Sequence, residues 1–255
     1  MTDERIAVIT GASSGIGAAV ATEVASAGFR VVLGARRADD LAASAAASGG
    51  VAHALDVTDL ASIDAFARFV GERFGRVDVL VNNAGLALGR EPIADSLDDD
   101  WVRMYETNVL GIARVTRAFM PLLRAAPQAH IVNVGSVAGF DVYPGGAGYT
   151  ASKHAVRAIT NTLRLELNGE PIRVTEVAPG MTETDFSLTR HRGDKERAAA
   201  TYAGLTPLSA ADVAACITFA VTRPPHVNVD YLVVRPTAQA SSYLVARKAL
   251  TPAGG

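Results

Sequence analysis

Tyr149 and Lys153 stand four positions apart in the stretch 136–153. A phenol has a pKa near ~10 and exchanges protons poorly at neutral pH in either direction. If Tyr149 opens a helix, both side chains rise from one face, one turn apart. An ammonium beside the phenol favours the phenolate and draws its pKa toward the working range. Ser136 follows the apolar run Ile131-Val132-Asn133-Val134, so it sits at a strand's end, with a glycine-rich loop leading to the helix. A hydroxyl there can hold the oxygen whose proton Tyr149 exchanges. Tyr-x-x-x-Lys alone also fits a buried tyrosine near a solvated lysine. Composition adds to the chemical reading. Of 24 Lys plus Arg residues, only Lys153, Lys195 and Lys248 are lysine. A chain so rich in arginine places a compact, rotatable ammonium here in place of a planar fork.

The elements that must position this trio are legible from the start of the chain. Residues 5–10 form an apolar run too short for a helix and suited to a strand buried on both faces. Gly11-Ala-Ser13-Ser14-Gly15-Ile16-Gly17 follows, and then a helical run that stops at Gly28. Strand, glycine turn and helix together form a diphosphate cradle: free N–H groups at a helix start and glycines that let the backbone approach. The spacing is G-x-x-x-G-x-G, not the G-x-G-x-x-G usual for dinucleotide folds. Residues 29–34 read as a second strand, followed by Arg36 and Arg37 where many such folds carry an acid for the ribose 2′-hydroxyl. Arginine instead pairs with a 2′-phosphate, which predicts NADP over NAD. The other reading is two solvent-facing arginines.

Asp56 and Val57 end a third strand, and Asn82-Asn83-Ala84-Gly85 ends a fourth. Both lie where ligands bind in such sheets. A helical region at 97–125 holds Asn108, a poor helix former, and is expected to break near 108–111. A sixth strand at 172–177 precedes the Pro179-Gly180 turn, a polar irregular segment at 185–207, a helix at 210–221 and a last strand at 230–234. Strands and helices alternate throughout, which predicts an α/β doubly wound parallel sheet in one domain spanning 1–255.

Composition bounds the function. A chain of 255 residues with 49% apolar content buries a sizeable core. Net charge of −2 gives no electrostatic case for nucleic acid or an acidic membrane. Cys216 is the single cysteine, on an apolar helix face, so no intramolecular disulfide is expected. The five histidines form no H-x-x-x-H or H-x-H pair, and no metal site is expected. No apolar run of 18 residues and no leader pattern appear, and a cytoplasmic location is the expectation.

With these pieces placed, the chain resembles the short-chain dehydrogenase/reductase family along its whole length. The motifs that carry the resemblance are Thr10 to Gly17, Asp56, Asn82-Asn-Ala-Gly85, Asn108, Ser136, Tyr149-x-x-x-Lys153, and Pro179-Gly180 with Thr184. The resemblance implies a Rossmann fold with strand order 3-2-1-4-5-6-7, Tyr149 as acid/base, and Ser136 on the carbonyl oxygen. It places Lys153 on the nicotinamide ribose and gives Asn108 a water in a proton relay. Thr182, Thr184, Pro179 and Gly180 fall at the nicotinamide end, with Thr182 where relatives usually carry Val or Ile. Residues 185–207 would fold as a lid, whose Arg190 and Arg192 suit a carboxylate or face solvent in a mixed-charge helix. The ending at 224–239 resembles the NADP-dependent 3-hydroxy acid (serine-type) dehydrogenases. The implied activity is hydride transfer between nicotinamide and a small alcohol or carbonyl. Reduction of a neutral aldehyde or ketone, and a non-catalytic NADP-sensing protein, are the alternatives. Relatives pair the helices around 97–125 and 149–168 across a two-fold axis, and a homotetramer is expected, with the tail at 231–245 as a second contact.

Overall fold

The structure is a computed structural model that describes residues 4–247; the outer parts of the expected 1–255 domain, 1–3 and 248–255, lie outside the described residues. Among the described residues seven strands form one sheet: β1 (Arg5–Thr10), β2 (Phe29–Ala35), β3 (Val51–Ala54), β4 (Val79–Asn82), β5 (Ala129–Val134), β6 (Ile172–Pro179) and β7 (Tyr231–Val234). Their order is β3-β2-β1-β4-β5-β6-β7 and every pairing is parallel, as expected. The helices are α1 (Gly15–Ser26), α2 (Ala38–Ser48), α3 (Leu60–Phe74), α4 (Asp98–Tyr105), α5 (Gly111–Arg124), α6 (Ala147–Glu166), α7 (Phe186–Arg190), α8 (Lys195–Ala200) and α9 (Ala210–Val221).

The central strands are apolar at consecutive positions because both faces are covered. Val31 and Leu33 turn to one face, where Val20 of α1, Leu41 of α2 and Ile217 of α9 pack. Val8, Val32 and Leu80 turn to the other, against Ile63 and Phe66 of α3 and Phe119 of α5. Phe66 and Phe119 meet edge to face at 5.5 Å. Each such side chain contributes ~1.5–3 kcal/mol by leaving water.

Two departures from the sequence reading matter for the site. The break in the 97–125 region is a π-helical turn at Glu106–Leu110 that joins α4 to α5 without a loop. Its widened backbone carries Asn108 inward. The segment 185–207 is less irregular than expected, for it contains α7 and α8. Both are too short to show a helical period. Asp194 caps α8 by accepting from the Arg197 backbone N–H.

A polar row crosses the carboxyl half of the sheet. Asn82, Asn133, Glu176 and Tyr231 stand side by side in register on β4, β5, β6 and β7. Asn82 Nδ2 donates to Asn133 Oδ1 at 2.9 Å and to Thr116 Oγ1 of α5 at 3.0 Å. Asn133 Nδ2 donates to Thr160 Oγ1 of α6 at 2.9 Å. Buried amides of this kind must be paired, and the pairing fixes α5 and α6 over the strand ends.

Candidate active site

A cavity of about 680 Å³ opens at the carboxyl ends of the strands, the ligand side of such a sheet. Gly11, Ser13, Ser14, Gly15 and Ile16 line one end of it. α1 begins there with Ser14 extended, its hydroxyl making no cap bond, and with no acid in the first turn. Its first N–H groups are therefore available to an anion. Gly11 and Gly15 have φ of +65° and +54°, which a side chain would strain. Gly17 lies beneath the cavity and does not line it. A Cβ on Gly17 would stand 2.4 Å from the Gly11 carbonyl oxygen, so the residue is a packing requirement of the turn.

The loop after β4 is bonded to this turn. Thr10 Oγ1 accepts from the N–H groups of Asn83 and Ala84, each at 3.0 Å. Asn83 Nδ2 donates to the Thr10 carbonyl at 2.9 Å and the Gly11 carbonyl at 3.2 Å. Asn83, Ala84 and Gly85 thereby line the cavity beside the glycines. Arg37 Nη2 donates to the hydroxyls of Ser13 and Ser14 at 3.2 and 2.5 Å. Arg36 lies 3.9 Å from the Asp56 carboxylate. Burial alone would raise the Asp56 carboxyl, but bonds from Thr58 and the Arg36 charge hold it below its ordinary value. Arg36, Arg37, Asp56 and Val57 all face the cavity.

Ser136, Tyr149 and Lys153 share its deeper wall. α6 opens at Ala147, so Tyr149 falls in its first turn and Lys153 one turn on. Tyr149 is 9% exposed, with its ring edge-on to Phe186 of α7 at 5.4 Å. The Lys153 ammonium, 5.9 Å from the Tyr149 ring centre, donates to the Val134 carbonyl at 2.9 Å. This corrects the expectation for the phenol: its pKa lies above the ordinary value, raised first by burial and then by Tyr143. The Ser136 hydroxyl and the Arg190 charge oppose that rise. Lys153 is pushed down by burial, with Glu176 acting the other way.

Asn108 does not line the cavity. Its side chain is wholly buried; Oδ1 accepts from the Leu86 N–H at 2.8 Å, and Nδ2 donates to the Leu86 carbonyl at 2.8 Å and to Ser152 Oγ at 3.0 Å. The amide is thus engaged in fixing the backbone after Gly85 to α6. Pro179, Gly180, Thr182 and Thr184 line the far wall. Thr184 covers Gly15, where a Cβ would stand 3.3 Å from the Thr184 Cβ.

The sequence reading missed several lining residues. Arg90, Tyr143, Gln239 and Arg247 come from loops without periodicity, so no sequence signal marked them. Gln239 Oε1 accepts from the Met181 N–H at 2.8 Å and so holds the tail against the Pro179-Gly180 turn. Tyr243 and Leu244 are exposed in the single chain, and Tyr243 and Val245 both line the cavity. In the segment 185–207 only part of the basic cluster faces inward. Arg190 and His191 line the cavity, whereas Arg192 pairs with Glu91 at 2.8 Å and with Asp100 at 2.5 Å. Arg192 therefore fastens this segment to the loop after β4 and to α4. It is not free to meet a substrate, so of the two readings for Arg192 the mixed-charge one fits and the carboxylate contact does not. Among the described residues, no group of three or more His, Cys, Asp or Glu side chains is placed to hold a metal ion.

This fold and this wall of Ser136, Tyr149 and Lys153 define a nucleotide-dependent oxidoreductase class. The short chain dehydrogenase family profile matches residues 5–195, and the chain belongs to that family. It is 54% identical over 251 residues to an uncharacterized oxidoreductase of Mycobacterium tuberculosis, covering 98% of this chain and 97% of that one. It is 45% identical to sulfoacetaldehyde reductase 2 of Chromohalobacter salexigens (95% and 98% covered). It is 40% identical to the NADP-dependent 3-hydroxy acid dehydrogenase of Schizosaccharomyces pombe (96% and 98% covered). Among solved structures it is similar to the closed form of a serine dehydrogenase complexed with NADP+. That match has a TM-score of 0.90 and 34% identity over 95% of this chain and 99% of the other.

Proposed function

We propose that this protein is an NADP-dependent oxidoreductase that interconverts a small anionic hydroxy compound, such as a 3-hydroxy acid, and its carbonyl form. The observation that carries the anionic part is the set of cations that line the cavity with Tyr149. Arg90, Arg190 and Arg247 line one cavity with Tyr149. Arg190 sits 5.6 Å from the Tyr149 ring, and among the described residues its buried Nη2 has no hydrogen-bond partner. Arg90 is held below its ordinary pKa by burial first, then by Arg190, with Arg247 adding to it. Guanidinium groups gathered this way attract an anion, and a carboxylate or sulfonate matches their geometry. The relatives named for sulfoacetaldehyde and for 3-hydroxy acids agree with an anionic substrate.

The residues present fit the cofactor. The Gly11–Ile16 cradle suits a diphosphate, and Arg36 and Arg37 suit a 2′-phosphate. Asp56 and Val57 take the adenosine end. Asn83, Ala84, Gly85 and Lys153 take the ribose side of the nicotinamide, and Pro179, Gly180, Thr182 and Thr184 take its ring. NADPH, when bound, supplies the hydride to the carbonyl carbon. Ser136 hydrogen-bonds the carbonyl oxygen, and Tyr149 donates its proton to that oxygen as negative charge develops. A phenol kept high by burial stays protonated for reduction; the Arg190 charge eases the reverse step. Asn108 and Gly17 act by holding the backbone in place. The segment 185–207 acts as the lid through α7.

The test is turnover of 3-hydroxypropanoate with NADP+ against its neutral methyl ester. The acid is expected to have the higher kcat/KM, by a margin that shrinks as salt rises. Equal turnover of the ester would make a neutral carbonyl the substrate class. For the cofactor, Arg37→Ala is expected to weaken NADPH binding about ten- to a hundredfold, the loss of one charge-assisted contact of ~1.5–3 kcal/mol. NADH binding should hardly change. Calorimetry that found both cofactors equally weakened would remove Arg37 from the 2′-phosphate site.

The same reading includes a cytoplasmic homotetramer. Val102 and Tyr105 on α4, and Leu165 on α6, are exposed apolar side chains on helices expected to pair. Phe219, Val233 and Leu244 offer a second exposed set near β7 and the tail. Exposed apolar groups of this number suit subunit contacts. Light scattering at micromolar concentration should give four subunits, and a monomer mass would refute the assembly. Among the described residues no helix is long and apolar enough to cross a membrane.

A further inference from the structure

Glu176 is buried in β6 at 0% exposure, and among the described residues neither of its carboxylate oxygens has a hydrogen-bond partner. A carboxylate so placed is costly unless charges nearby repay it. The backbone makes room for it. A Cβ on Gly135 would stand 2.2 Å from Glu176 Oε1, and one on Gly139 would stand 3.8 Å from it. Gly135 directly follows Val134, whose carbonyl receives the Lys153 ammonium. The carboxylate therefore lies behind the wall that carries Tyr149, at the foot of Lys153.

The ionisable groups facing it can be named element by element. From α6 come Lys153, Arg157 and Arg164, a single stripe at helical spacing. From β7 comes Tyr231, the next member of the polar row, with Arg157 and Arg164 at 5.0 and 5.2 Å from its ring. Asp230, just before β7, pairs with Arg164 at 3.4 Å. The segment 135–140 carries no ionisable side chain. Arg164 is thus shared with Asp230. Lys153 is 5% exposed and takes part in no ion pair among the described residues.

We propose that Glu176 is a positioning residue for the reaction: a buried counter-charge that keeps Lys153 protonated from behind the site and sets the pH at which the lysine loses its proton. Burial works against both charges, raising the carboxyl and lowering the amine, and each opposes the other's shift. Removing the carboxylate leaves burial alone acting on Lys153. Its titration then moves down in pH, and with it any step that needs the ammonium. The inference rests on the assignment of Lys153 to the catalytic pair, but its principal measurement needs no substrate.

With only three lysines in the sequence, protein labelled with ¹³Cε-lysine gives a spectrum simple enough to titrate. Lys153→Arg identifies the resonance. In Glu176→Gln the Lys153 midpoint is expected to fall by about one pH unit or more, while Lys195 stays put. The alkaline limb of kcat for 3-hydroxypropanoate oxidation should fall with it. Lys153→Met serves as the second arm should the amide variant not fold. With ¹³Cδ-glutamate, the Glu176 carboxyl should then titrate higher than in the unaltered protein, having lost its facing ammonium. A Lys153 midpoint unmoved in Glu176→Gln, or a Glu176 midpoint unmoved in Lys153→Met, overturns the proposal. A failure of the unaltered protein to oxidise any 3-hydroxy acid overturns the substrate reading and leaves the titration result standing.

Discussion

Tyr149→Phe is expected to lose ~10²–10⁴-fold in kcat, the contribution of a positioned general acid, with NADPH affinity nearly intact. The substitution removes one oxygen and leaves the ring where it is. That ring is buried, edge-on to Phe186, and packed with Leu86, Leu88 and Met104, so phenylalanine retains the packing. What is lost is the hydroxyl beside Ser136, the group proposed to deliver a proton to the nascent alkoxide. In the proposed reading, cofactor binding rests mainly on other walls, at Gly11–Ile16, Arg36 and Arg37. Fluorescence quenching by NADPH should therefore match the unaltered protein while turnover collapses. A variant keeping more than about a tenth of kcat would remove Tyr149 from the acid/base role. The phenol's raised pKa, from burial first, adds a pH signature. Reduction needs the protonated phenol, so its rate should stay level from neutral pH until the alkaline region. Oxidation needs the phenolate and should rise with pH until the alkaline limb, where Lys153 loses its proton.

The fold was legible because its determinants are local. Residues 5–10, 29–35 and 129–134 alternate with helical runs, and each carries neighbouring apolar residues (Ile6 to Ile9, Val31 to Leu33, Ile131 and Val132), the mark of a parallel sheet covered on both faces. The pairing of Tyr149 with Lys153 was legible for the same reason: both lie on α6, where four residues make a turn. What that pairing does was not legible. The ammonium's hydrogen bond goes to the carbonyl of Val134 on another element, and the groups that draw the phenol's pKa down are Ser136 and Arg190. Spacing cannot show where a long side chain spends its donors. Gly17 and Asn108 teach the converse. Both belong to the motif, yet one makes room for the Gly11 carbonyl and the other is spent on Leu86 and Ser152. Arg90 comes from the loop after β4 and Arg247 from the tail, in no periodic pattern, and only the folded chain brings them to Arg190.

Arg190→Ala is expected to raise KM for 3-hydroxypropanoate about ten- to a hundredfold, the cost of losing one charge-assisted contact, and to leave KM for the methyl ester nearly unchanged. Arg190 is the cation of the proposed lid whose buried Nη2 has no partner among the described residues, and its Nε donates to the Gly89 carbonyl at 3.3 Å, which aims the guanidinium beside Tyr149. Arg192→Ala is the matched control. Its guanidinium is already paired with Glu91 and Asp100, so its loss should loosen the lid and affect acid and ester alike. The two variants thus separate charge recognition from closure. A second readout comes from the phenol. Arg190 is the charge that lowers the Tyr149 pKa against burial, so without it the pKa rises further. Oxidation needs the phenolate, and its pH profile should therefore shift to higher pH in Arg190→Ala and stay in place in Arg192→Ala. Should Arg190→Ala weaken acid and ester equally, with no shift in the profile, Arg190 serves the lid alone and the anion site must be sought at Arg90 and Arg247.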